Sequence, residues 1–185
     1  MARIEPVALE ALAPELEELL ATRPPYNIYR ILANAPTLLP GFVQLAGSGR
    51  TRTELDPQLR EMVILRVGAH CRSAYEIHQH ERLARHVGVS EERIRKALDL
   101  QAAQASDSLE DKLLRFTDSV VLSVKAPPEQ FEAVKAALGP RQLTELLLVI
   151  GLYMMVSRTL ENLEVEIERD GVDIGSRAYY PPAPR

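Results

Sequence analysis

One cysteine in 185 residues excludes an internal disulfide framework and any Cys-x-x-Cys pair. Cys71 has no second thiol in the chain to close upon. Tryptophan is absent, and six tyrosines and three phenylalanines are too few to interleave with a basic stripe. No such stripe occurs. The 22 Lys and Arg are outnumbered by 26 Asp and Glu, which argues against nucleic acid as a partner. The opening Met-Ala-Arg-Ile-Glu-Pro lacks the apolar core of a signal peptide. The longest apolar stretch, Leu146 to Val156, falls short of the roughly 20 residues that a bilayer requires. No membrane partner is expected, and a soluble cytoplasmic protein is the simplest reading. Asn-Gly hairpin signals are missing and period-two alternation is scarce, so strands are not expected.

What remains is helical. With 46% hydrophobic residues, the chain can build one packed all-α domain over residues 1–168, followed by an extended, Pro-rich arm at 169–185. Helical spacing of Leu and Ala predicts a helix over 7–21, ended by Arg23-Pro24-Pro25. Further helices are expected near 26–34, from Pro36 to just before Gly47-Ser48-Gly49, and from Asp56-Pro57 to near Gly68. Others follow near 74–87, from Ser90 to Leu98, near 108–125 and near 128–138. A last helix starts at Gly139-Pro140, passes Val156 and continues toward Glu168. Leu55-Asp56-Pro57 before Glu61 and Leu138-Gly139-Pro140 before Glu145 form a weak internal repeat.

Residues 61 to 80 carry the chemistry. The run from Leu59 to Val67 is apolar on all sides of a helix, which marks it as buried, yet it holds Glu61. On the next helix Glu76, His80, Leu83 and Val87 form one stripe, with Gln79 and His78 on the opposite, solvent-facing side. A carboxylate or imidazole placed inside is costly unless it pairs or shifts its pKa, so Glu61, Glu76 and His80 form a candidate acid–base site. Each also has a structural reading. Ser73-Ala74-Tyr75-Glu76 matches a capping box, Glu61 can neutralise Arg60 or Arg66, and an inward histidine can be a core residue. Ser73, Cys71 and Arg66 are further contributors to consider. His70, Glu76, His78 and His80 do not fall on one helical face, so neither a metal nor another cofactor is expected. Tyr153, Ser157 and Arg158 stand on the apolar last helix, and Arg158 can balance Glu145 or bind a carboxylate.

The spacing Glu61, Ser73, Glu76, His80 resembles the alkylhydroperoxidase D/carboxymuconolactone decarboxylase superfamily. In its thiol branch the pattern is Glu, eleven residues, Cys-x-x-Cys, three residues, His. Here Ser73 and Glu76 occupy the cysteine positions. Tyr75-Glu76-x-x-Gln79-His80-x-x-Leu83-Ala84-x-x-Val87-Gly88 and Ser90-Glu91-Glu92-x-Ile94 resemble the decarboxylase-like branch. Asn27-Ile28-x-Arg30-x-Leu32-Ala33 and Leu38-Leu39-Pro40-x-Phe42 extend the likeness to roughly residues 26–168.

The resemblance implies an AhpD-like helical fold, self-association into a trimer or hexamer, and a family-level label of peroxiredoxin activity. Burial of the apolar rod from Leu146 to Met155 between subunits fits the same expectation. Two-thiol peroxidase chemistry needs an attacking and a resolving thiol, which this chain lacks. The resemblance therefore implies a lyase of aromatic catabolism, acting without cofactor on a small acid or lactone. His80 would be general acid, Glu76 its partner and Glu61 a positioning or relay group. A redox protein using Cys71 alone and a non-catalytic oligomeric scaffold remain as alternatives.

Overall fold

Prolines and short polar caps set most of the helix starts. The computed structural model describes residues 2–101 and 106–168, and among them every regular element is a helix. In chain order these are a 3-10 turn at Leu9–Ala11, α1 (Pro14–Ala21), α2 (Asn27–Leu32), α3 (Leu39–Thr51), α4 (Pro57–Cys71), α5 (Ala74–His86), α6 (Glu91–Leu98), α7 (Leu109–Ser123) and α8 (Pro128–Leu163). The helix expected over 7–21 is split, because Pro14 has no N–H to continue a preceding turn and disfavours helical backbone at the residue before it. The arm proposed for 169–185 lies outside the described residues.

The chain divides into two compact units, residues 1–52 with 159–185, and residues 53–158. In the first, Leu16 and Leu20 of α1, Tyr29 and Ile31 of α2, and Leu39 and Val43 of α3 are buried. α3 runs through Gly47-Ser48-Gly49, where a stop was expected. Each helical glycine costs about 1 kcal/mol against alanine, and the buried face of Val43, Ala46 and Arg50 outweighs that.

The second unit is built around α4. Asp56 caps it, its Oδ1 accepting from the Gln58 and Leu59 amides at 2.9 and 3.0 Å, with Pro57 at the first helical position. Every residue from Arg60 to Gly68 is buried, and α5, α6 and α7 all pack against the helix. Met62 and Leu65 meet Ala84, Val89, Ile94, Ala97 and Leu114 in the core. Gly68 does not end α4, which continues to Cys71. Its missing side chain admits α5 instead, since a Cβ there would stand 3.3 Å from Ile77 Cγ1. Because the Asp56 carboxylate serves two free amides, Asp56→Ala should lower stability by about 1 kcal/mol. A denaturant midpoint unchanged within error would refute that role for the cap.

α8 is broken at Gly139 (φ 74°, ψ 170°), a conformation open to glycine alone, and Pro140 restarts the helix. The helix ends at Leu163 and does not reach Glu168. By length and composition α8 is apolar enough to cross a membrane, contrary to the estimate from Leu146–Val156, although half of its apolar window is buried inside the protein. Leu146, Val149, Ile150 and Leu152 are buried, whereas Leu148 and Met155 are 61% and 48% exposed. The rod therefore has one open apolar face. Glu145 does not pair with Arg158. Its Oε2 accepts from the Glu54 and Leu55 amides, and Arg141 donates to Oε1, while Arg158 donates to the Met154 carbonyl. α4 and the second segment of α8 thus start alike, but their glutamates serve different ends.

Candidate functional site

The turn between α4 and α5 decides what Glu76 can do. It consists of Arg72, in left-handed backbone (φ 53°, ψ 35°), and Ser73. The Ser73 amide donates to the Gly68 carbonyl at 2.9 Å. It therefore has no free N–H for Glu76 to reach back to, and the expected capping box does not form. The Ser73 side chain makes no cap bond either. Its hydroxyl is wholly buried and has no hydrogen-bond partner among the described residues. An orphaned hydroxyl of this kind costs about 1–3 kcal/mol, so Ser73 is poorly explained as a structural cap.

Glu76 turns instead toward His80, one helical turn on. Its Oε2 lies 3.5 Å from His80 Nε2. On the other side of the ring, His80 Nδ1 lies 2.7 Å from Glu61 Oε2. An ionised Glu61 accepts from Nδ1–H and so fixes which ring nitrogen carries the permanent proton. Nε2 is left as the atom where a proton arrives or leaves. Glu61 is fully buried, and Glu76 and His80 are 4% and 5% exposed. All three expected residues are brought together. Ser73 shares their face of α5, at i and i+7 from His80.

Two further groups complete the setting. Arg60, also buried, holds its Nε 3.6 Å from Glu61 Oε1. Tyr153 of α8 meets the His80 ring edge-on, with centroids 4.7 Å apart and planes at 86°. That T-shaped contact and the Glu61 bond together fix the imidazole plane. With both carboxylates ionised, Arg60 charged and His80 protonated, the formal charges of the four groups sum to zero. A proton leaving Nε2 leaves one negative charge in a region shielded from water. Tyr153 stood out in sequence only as a polar residue on an apolar rod, and nothing there linked it to His80.

Other expected contributors lie elsewhere. Arg66 does not serve Glu61. Its Nε and Nη2 donate to the two Asp118 oxygens at 2.5 and 2.8 Å, and its Nη1 to the Asp99 carbonyl at 2.7 Å. His70 Nε2 stands 2.6 Å from the same Asp118 carboxylate. Burial alone would push the Asp118 carboxyl up; the Arg66 and His70 hydrogen bonds outweigh it and hold it below the usual range. Arg66 lies on the face of α4 toward α6 and α7, where Asp118 could be recognised only from the fold. Cys71, the last residue of α4, is partly exposed and reduced. His78 is exposed as expected, whereas Gln79 is buried, contrary to its assigned solvent face. Among the described residues, no group of three His, Cys, Asp or Glu side chains is arranged to hold a metal ion.

Known proteins now bear on this geometry. Residues 36–119 match the sequence model of the carboxymuconolactone decarboxylase family, a narrower span than the 26–168 read from the motifs. No curated protein matches the chain. Among solved structures, the alkylhydroperoxidase AhpD core protein of Ralstonia eutropha JMP134, called peroxidase-related, is similar with a TM-score of 0.78 at 14% identity, covering 91% of this chain and 93% of that one. The debrominase Bmp8, solved in complex with 2,3,4-tribromopyrrole, is similar with a TM-score of 0.72 at 15% identity, covering 91% and 95%. Likeness at such identities speaks for the fold. Residues 36–119, which include Glu61, Ser73, Glu76 and His80, thus match the carboxymuconolactone decarboxylase family, and the fold of the chain is AhpD-like.

Proposed function

We propose that the Glu61–His80–Glu76 cluster performs cofactor-free acid–base chemistry on a small carboxylic acid or lactone, with decarboxylation of a muconolactone-type acid as the leading reaction. One observation carries this reading. His80 is pinned at Nδ1 by a buried carboxylate 2.7 Å away, while its Nε2 stands 3.5 Å from a second carboxylate, too far for a strong bond between them. In the reaction the bond to the carboxylate carbon breaks and carbon dioxide leaves. The electron pair passes into the lactone carbonyl as an enolate, and His80 Nε2–H protonates the carbon. Glu76 then helps return a proton to Nε2. Self-association belongs to the same reading, because Leu148 and Met155 leave an apolar face for a second copy to cover.

Incubating the protein with muconolactone-type acids in deuterated water tests the proposal. Carbon dioxide release with one carbon-bound deuterium in the lactone product is expected. A panel of small acids and lactones that shows neither release nor deuterium exchange would count against it.

A second, redox reading takes support from the names of structural neighbours, which are called peroxidase-related, and from the partial exposure of Cys71. It needs a thiol donor from outside, since Cys71 is the only cysteine. Cys71→Ser should leave acid–base turnover within about twofold of wild type, because the proposed proton transfer uses Glu61, Glu76 and His80 and no thiol. Peroxide reduction present in the wild type and absent in Cys71→Ser would promote the redox reading instead.

A further inference from the structure

Three arginines of the first unit, Arg23, Arg50 and Arg52, take no part in the acid–base cluster. They line one half-open cleft of about 470 Å³. Gln44, Ser48 and Thr51 line it too, at helical spacing on one face of α3. Arg50 lies in the last turn of α3, Arg52 is its C-cap, and Arg23 comes from the turn after α1. None of the described residues lining the cleft is acidic.

Guanidinium groups keep their charge at any physiological pH, so burial makes them seek a counter-charge. Arg23 Nε is buried without a hydrogen-bond partner among the described residues. Gly47 leaves room for the Arg23 head, whose Nη1 lies 3.6 Å from where a glycine-to-alanine Cβ would stand. The carbonyl end of α3 contributes about half a negative charge, against the full positive charges of Arg23 and Arg52, so the cleft remains electropositive. Forked N–H donors fit carboxylate and phosphate oxygens in pairs. The volume falls within the roughly 300–1,000 Å³ of small-molecule sites.

We propose that this cleft binds a small molecule bearing a carboxylate or phosphate group, held by Arg23 and Arg52 with Gln44 and Ser48 as neutral polar partners. The full chain should be titrated calorimetrically with malonate and, separately, with inorganic phosphate, at constant ionic strength against a chloride reference. At least one probe should bind the wild type at millimolar concentration or below. Arg23→Gln and Arg52→Gln should each weaken that binding about tenfold or more. Binding of malonate alone assigns a carboxylate ligand, and binding of phosphate alone assigns a phosphate ligand. Arg52 is exposed, so Arg52→Gln carries the comparison if Arg23→Gln fails to fold. Neither probe binding above the chloride reference overturns the proposal. So does binding that survives both substitutions unchanged.

Discussion

His80→Gln is expected to lower turnover of the muconolactone-type acid by about 10²–10⁴-fold while the protein stays folded. Glutamine suits the test because it keeps a neutral, hydrogen-bonding side chain of nearly the same size between the two carboxylates. What it cannot do is carry a labile proton where Nε2 stands. The substitution therefore separates proton transfer from packing better than alanine, which would remove the 2.7 Å contact to the wholly buried Glu61 and open a cavity beside it. Glu76→Gln should have a smaller effect of the same sign, since the 3.5 Å contact to Nε2 is looser than the 2.7 Å contact of Glu61 to Nδ1.

The scaffold alternative makes the opposite forecast. If the cluster only holds α4 to α5, both substitutions should chiefly lower the melting temperature, with a cost of about 1–3 kcal/mol for each buried group left unpaired. Turnover and melting measured on both variants decide between the two. Lost melting temperature with no turnover found on any small acid would favour the scaffold. Lost turnover at unchanged melting would favour the enzyme.

The helices and the inward triad were legible because they rest on periodicity. Glu61 interrupts a run that is apolar on every side, and Glu76, His80 and Leu83 repeat at helical spacing, so their direction follows from the geometry of one helix. Asp56-Pro57 is equally local, and the cap formed as read. What could not be read depends on several helices at once. Ser73-x-x-Glu76 satisfies the capping pattern, but the Gly68 carbonyl on the preceding helix takes the Ser73 amide first. Arg60 and Arg66 both stood as partners for Glu61, and only the approach of α7, bringing Asp118, separates them. Glycines misled for a related reason. Gly68 and the pair at 47 and 49 looked like stops, yet they lie inside helices held by packing on either side. Gly139, where positive φ is required, does break its helix.

The largest stability effect is expected at Asp118, away from the chemistry. Arg66 is 1% exposed, and Asp118 supplies its only carboxylate contact among the described residues, with His70 sharing the same oxygen. Asp118→Ala leaves that guanidinium buried with only backbone carbonyls, those of Ala97 and Asp99, at 3.3 and 2.7 Å. Breaking a buried pair by removing one partner costs about 3–5 kcal/mol, which for a chain of this length corresponds to a melting temperature lower by roughly 6–20 °C. The double variant Arg66→Met/Asp118→Leu should recover much of the loss, because no charge then remains inside. The wild type carries a pH signature of the same contact. Its carboxyl is held below the ordinary aspartate value of about 3.9, so the folded state binds fewer protons there than the unfolded chain does. The contribution is therefore fully present above that value and is lost as pH falls below it, through the lowered folded pKa. Thermal melts from pH 7 to pH 2 should show the gap between wild type and Asp118→Asn narrowing only below about pH 4. A gap that stays constant down to pH 2, or an Asp118→Ala protein that melts with the wild type, would show that Arg66 is held by its carbonyl contacts alone.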